Sequence, residues 1–178
     1  MTNERYDDTY IAGILDEVKS IALVGASANI SRPSYFVLKY LLTKSYAVVP
    51  VNPGLAGQEI LGQRVAGSLA DIERPIDMVD IFRNSEAALD ITREAIRLKD
   101  KLGIKVIWMQ LSVRNDDAAR EAEAAGLKVV MNRCPKIEYG RLSGEIGWAG
   151  VNAGTISSKR PQLAAGSFQN HVIGSLKR

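Results

Sequence analysis

The sequence predicts an α/β protein: a Rossmann-like three-layer fold around a doubly wound, mainly parallel sheet of five to six strands. Three observations predict it. Short apolar runs alternate with segments of helical period along most of the chain. Runs such as SIALVG (20–25) and KVIWMQ (105–110) are almost wholly apolar, as strands covered on both faces are. The segments between runs are long enough for the crossovers that parallel strands need.

Each element has its own signal. Ile11, Ile14, Leu15 and Val18 fall at i, i+3, i+4 and i+7, which predicts a first helix over 8–18. SIALVG is the first strand. Pro33 opens the next helix, where a missing N–H costs nothing, and this helix runs to about Lys44. YAVVPVNP (46–53) is the second strand, stopped by Asn-Pro-Gly. A short third strand is expected near Arg64–Ala66, followed by a helical turn begun by Ser68. IDMVDIF (76–82) is the fourth strand. Asn84 or Ser85 caps a long helix with Ala88, Ile91, Ala95, Leu98 and Leu102 on one face, stopped by Gly103. KVIWMQ is the fifth strand, Asn115 to Gly126 bounds another helix, and LKVVM (127–131) is the sixth strand. The expected division is a Rossmann-like domain over 1–146 and a basic tail over 147–178, irregular or packed on a partner.

The chain has 178 residues, 46% hydrophobic and 24% charged, which is ordinary for one globular domain. No apolar run approaches the roughly 20 residues of a membrane helix. The polar start MTNERYDDTY does not read as a signal peptide, and the one cysteine, Cys134, has no internal partner. A cytoplasmic location is therefore expected. The net charge of +3 belongs to the tail. No acidic residue follows Glu145, whereas Lys159, Arg160, Lys177 and Arg178 do; setting those four aside leaves 19 basic against 20 acidic residues. A nucleic-acid face on the folded body is not expected.

In such a sheet a ligand sits beyond the C-terminal strand ends, where the strand order reverses. That expectation gathers Gly25–Ser34, Val51–Pro53, Phe82–Arg83 and Met109–Leu111 around one crevice. Gly25 permits a sharp turn and close backbone approach. The free N–H groups at the start of the helix near Pro33 and Ser34 favour an anion, and Arg32 stands beside them. The dinucleotide fingerprint G-x-G-x-x-G is broken by Ser27 and Ile30, and the second strand ends in Asn52 rather than an acid for a ribose. No Walker loop occurs. The turn suits a phosphate, but not in the ordinary NAD or ATP manner.

The segments IALVGAS, RPSYFVLKYLL, VVPVNPG, MVDIFR, VIWMQLSV and GLKVVMNRCPKIEY carry a resemblance. Together they resemble the small coenzyme A-binding domain proteins, stand-alone relatives of the N-terminal domain of the succinyl-CoA synthetase alpha subunit. The resemblance spans about Ile14 to Arg141. It implies a Rossmann-like fold that binds CoA or an acyl-CoA. By resemblance, Gly25, Ala26, Ser27 and Ala28 lie under the pyrophosphate, and Arg32, Pro33 and Ser34 open the helix that adds donors. Asn52 and Pro53 border the nucleotide end, and Phe82 and Arg83 sit over the adenine or beside its phosphates. Met109, Gln110 and Leu111 line the crevice. Two departures stand out. Leu55 occupies the place of a ligase lysine, and the opening loop is longer, carrying an Arg-Pro-Ser that the ligase lacks.

The ligase relays phosphate through a histidine in a second domain that does not match this chain, and the one histidine here, His171, lies in the tail with no visible acid–base partner. Cys134 reads as a small apolar residue before a turn-forming proline, with no base or helix N-terminus to activate it. Lys136, Glu138 and Tyr139 read as a solvated loop, and Trp108 and Trp148 as packing residues. Neither a metal-ligand spacing nor a G-x-S-x-G elbow occurs. The expected function is thus a non-catalytic carrier, sensor or regulatory module for CoA or acyl-CoA, with a homo-oligomer or protein partner open. The rival readings are an atypical NAD(P)-binding oxidoreductase and an interaction module with a vestigial crevice.

Overall fold

The computed structural model describes residues 6–145. The expected tail, with His171 and Trp148, lies outside the described residues. Five strands form one all-parallel sheet in the order β2-β1-β5-β6-β7. They are β1 (Ser20–Val24), β2 (Ala47–Val51), β5 (Met78–Ile81), β6 (Val106–Met109) and β7 (Lys128–Val130). Counting only these five, the order is the doubly wound 2-1-3-4-5. It reverses between β1 and β5.

Strand alternation sorts the core into two halves. On one face Ile21, Leu23, Met78, Val106 and Trp108 pack against α1 (Asp8–Glu17), α2 (Pro33–Thr43) and α5 (Pro135–Leu142). On the other, Ala22, Val79, Ile81, Ile107 and Met109 meet α3 (Ser85–Leu102) and α4 (Asp116–Ala124). The two best-defined helix ends follow the sequence: Asn84 caps α3 by accepting from the Ala87 N–H at 3.0 Å, and Gly103 ends it at φ 81°. No helix among the described residues is long and apolar enough to cross a membrane.

Two expectations are corrected. The third strand near Arg64–Ala66 is not a strand of the main sheet. Gln63–Arg64 (β4) pairs antiparallel with Glu59–Ile60 (β3) as a small hairpin. Ala66 alone then meets the β2 edge, donating to the Pro50 carbonyl and accepting from the Asn52 N–H, both at 2.9 Å. Three residues are too few to sustain two different pairings as one strand. The segment after Cys134 is not a solvated loop but α5, with Glu138 and Tyr139 buried. Glu138 is tolerated inside because Arg141 donates to it at 2.7 Å, and Arg141 also bonds Asp8 of α1 at 2.7 Å.

The start of the sheet is tied by Asp77. Its carboxylate accepts from the Lys19 N–H at 2.9 Å, the Ser20 N–H at 3.1 Å and the Ser20 hydroxyl at 3.1 Å, with the Lys105 ammonium 3.1 Å away. Burial pushes this carboxyl up, but those donors outweigh it and hold it below its ordinary value. Asp77→Ala leaves two backbone donors short of a partner and is expected to cost about 1–3 kcal/mol in denaturant unfolding.

Candidate functional site

β1 runs directly into Gly25, which takes φ 93°. The turn is tight because β5 lies alongside it: the Phe82 N–H donates to the Val24 carbonyl at 2.8 Å. A Cβ placed on Gly25 would stand 3.0 Å from the Phe82 carbonyl oxygen and 3.1 Å from the Arg83 Cδ. Only glycine gives both this φ and this approach. The Gly25 and Ala26 N–H groups both turn to the Val51 carbonyl at the end of β2, at 3.0 and 3.2 Å. So the ends of β2, β1 and β5 meet at one point, where the strand order reverses.

The loop above that point is held by its own polar groups. Asn29 donates its N–H to the Ser27 hydroxyl at 3.2 Å and accepts from the Ser31 N–H at 2.9 Å. Asn52 uses both halves of its amide: Nδ2 donates to the Ala26 carbonyl at 2.7 Å, and Oδ1 accepts from the Gly54 N–H at 2.8 Å. Asn52 thus joins the opening loop to a 3-10 turn over Pro53–Leu55. No carboxylate stands at the end of β2 to accept from a ribose.

The helix that follows begins without a cap. Arg32 is the N-cap of α2 and contributes no side-chain bond, and Pro33 opens the first turn. By contrast α1, α3 and α4 are capped by Asp7, Asn84 and Asn115. Ser34, in that first turn, is 5% exposed, and no hydrogen bond of its hydroxyl is found among the described residues. The exposed guanidinium groups of Arg32 and Arg83 likewise have no ionic partner there. Backbone N–H groups of the loop, a Ser34 hydroxyl with no protein partner and two unpaired cations therefore flank the Gly25 turn, a set of groups that suits an anion.

The remaining predicted residues divide. Ala28 and Pro53 are exposed, and Ser27 and Phe82 are half-buried at the mouth. Leu111 is 51% exposed just beyond β6. Ala26 and Met109 are buried in the two core clusters, so only their backbone is available to a ligand. Gln110 is also buried, and its Nε2 lies 3.1 Å from each oxygen of Asp80. It holds the loop after β6 from beneath. Asp80 itself is fully enclosed, level with Leu23 of β1 and Trp108 of β6. Burial pushes its carboxyl up to about 8, against the opposing Gln110 bond. Burial thus favours the protonated, neutral carboxyl.

Sequence reasoning missed the contribution of α5. Its first turn stands at the same end of the sheet, and its N-cap is Cys134, so a helix N-terminus does adjoin that thiol. The thiol is nevertheless 6% exposed, and burial, the largest influence, raises its pKa. Pro135 directly after Cys134 is the signal that marks this helix start. A separate groove of about 720 Å³ runs along the outer edge of β2, between Val48, Arg64, Ala66, Asp71 and Arg74. None of the predicted site residues lines it, and its charges are of both signs.

Comparison with known proteins gives the same family over most of the described chain. The CoA binding domain family matches residues 19–140. The Bacillus subtilis (strain 168) protein YneT is 33% identical over 129 residues, covering 72% of this chain and 91% of YneT. A hypothetical protein from Pyrococcus horikoshii OT3 superposes with a TM-score of 0.72 at 39% identity, over 80% of this chain and 99% of its own. Part of the dinucleotide-forming acetyl-coenzyme A synthetase 1 of Ca. Korarchaeum cryptofilum, solved with phosphate and ADP, is similar in fold alone. Its TM-score is 0.52 at 22% identity, over 63% of this chain and 25% of the synthetase.

Proposed function

The chain belongs to the CoA binding domain family, and from that premise we propose that it binds coenzyme A or a CoA thioester across the crevice between β1 and β5. The pyrophosphate lies over Gly25–Ala28 and the start of α2, with Arg32, Ser34 and Arg83 as donors. Asn52 and Pro53 border the nucleotide end. The observation that carries the reading is the start of α2 beside the Gly25 turn, where no side chain caps the helix, the Ser34 hydroxyl has no protein hydrogen-bond partner among the described residues and Arg32 is unpaired. Such a start leaves positive charge and donor groups available to an anion. NAD is disfavoured because both amide atoms of Asn52 are already engaged and no acid stands at the end of β2.

The role fitted to this site is carrying or sensing CoA, or regulation through its occupancy, rather than catalysis. Asp80 and Cys134 are the buried titratable groups beneath the crevice. Burial favours the neutral carboxyl of the one and the protonated thiol of the other. Neither is placed to exchange a proton with a bound thioester.

Calorimetric titration with CoA, dephospho-CoA, NAD and NADP tests the reading. Micromolar CoA binding with none to NAD is expected. Arg32→Ala is expected to weaken CoA by about 1–3 kcal/mol, roughly 5- to 150-fold in Kd, as loss of a charge-assisted contact does. Unchanged affinity in that variant would remove Arg32 from the site. NADP binding without CoA binding would overturn the reading.

A further inference from the structure

The loops and helix starts that rim the C-terminal end of the sheet carry exposed apolar side chains. Six large hydrophobic side chains are exposed among the described residues, and four of them stand at the C-terminal end of the sheet. Ile30, in the loop after β1, is 69% exposed; Phe36, in the first turns of α2, is 51% exposed. Leu111, just past β6, is 51% exposed, and Ile137, in the first turn of α5, is 42% exposed. The segments that carry Phe36, Leu111 and Ile137 are neighbours. Phe36 lies one turn before Tyr40, and the Lys136 ammonium of α5 is 5.7 Å from the Tyr40 ring. Beyond Leu111, the Ser112 N–H bonds the Asn132 side chain at 2.8 Å, two residues before Cys134 and the start of α5.

We infer that this rim holds the acyl chain of a CoA thioester, so that the site selects medium-length apolar acyl-CoA over free CoA. The inference rests on the proposed CoA reading and extends it along the sheet. With the nucleotide over β2 and the pyrophosphate over β1, the pantetheine arm leaves in the remaining direction, over β5, β6 and β7. That path runs toward the loop after β6 and the start of α5, which carry Leu111 and Ile137, with α2 and its Phe36 beside α5. The occupant is continuous with the anion site. Charged anchors fix one end of the ligand, and an apolar surface otherwise left to water takes the other.

The test compares CoA, acetyl-CoA and octanoyl-CoA on the wild type and on Phe36→Ser/Ile137→Ser, with sedimentation of each sample. Each methylene laid on an apolar surface gains up to about fourfold in affinity. On an open rim, octanoyl-CoA is expected to bind about 10- to 100-fold tighter than acetyl-CoA. In the double variant that difference should collapse to about threefold or less while free CoA binds as before. Both replaced side chains are exposed, so the fold is retained. Equal affinity of the wild type for all three ligands overturns the acyl rim and leaves CoA binding standing. A wild-type dimer that the variant dissociates, without chain-length dependence, assigns the rim to a second copy of this chain instead. No binding of any of the three removes the CoA reading itself, and the inference with it.

Discussion

Gly25→Ala is expected to abolish CoA binding and to cost about 2–4 kcal/mol of stability. Two effects add. The residue sits at φ 93°, where an L side chain is strained by about 1–2 kcal/mol. The new methyl also meets the Phe82 carbonyl oxygen at 3.0 Å and its carbon at 3.1 Å. Those are backbone atoms of the neighbouring strand and cannot rotate away. The Phe82 N–H is already committed to the Val24 carbonyl, so relief requires parting β1 from β5 at the point where the ligand lies. Gly103→Ala supplies the control. Gly103 has φ 81°, but nothing stands within 4 Å of its would-be Cβ, and it lies at the far end of α3 from the crevice. It should show only the backbone cost, about 1 kcal/mol, with CoA binding intact. Denaturant unfolding and CoA titration of both variants separate the effects. If Gly25→Ala costs no more than Gly103→Ala and still binds CoA, close approach of β1 and β5 does not form the site.

The fold was legible because its signals are local and repeated. The apolar strands, the spaced face of α3 and the Asn84 and Gly103 boundaries each follow from side chains within one segment. The helix α5 was not legible for a physical reason. Its buried side includes Glu138, Tyr139 and Gly140, which carry no apolar period, and its burial depends on Arg141 reaching Asp8 more than a hundred residues away. The site divides in the same way. Gly25, Arg32 and Ser34 could be placed from the strand–turn–helix pattern alone. Gln110 could be placed at the crevice edge but not assigned its work, because that depends on Asp80 one strand away. A charged residue type inside an apolar strand, as in MVDIF, marks Asp80 as either hydrogen-bonded or on a polar face, but it does not name Gln110 as the partner.

Asp80→Asn is expected to make the protein more stable than the wild type, increasingly so as pH rises. Burial holds the folded carboxyl at about 8, whereas an unfolded one titrates near 4. Below about pH 4 both states are protonated, and the buried acid carries no penalty. Between about pH 4 and 8 the unfolded chain loses this proton and the folded chain keeps it, so stability falls with rising pH. The slope approaches about 1.4 kcal/mol per pH unit and the total approaches roughly 5–6 kcal/mol as an upper limit. Above about 8 the two states titrate together and the loss levels off. Asparagine cannot ionise, yet its Oδ1 still accepts from Gln110 Nε2, so the support under the loop after β6 is kept. Unfolding at pH 5, 7 and 9 should show the variant's advantage widening from 5 to 7 and reaching its limit near 8. Parallel curves would mean that Asp80 titrates like an ordinary surface acid. The same pair of proteins tests the electrostatics of the crevice. A carboxylate beneath a pyrophosphate would repel it, whereas a neutral acid does not. At pH 7, CoA affinity of Asp80→Asn is therefore expected within about twofold of the wild type, and a gain much larger than that would reveal a charge on Asp80.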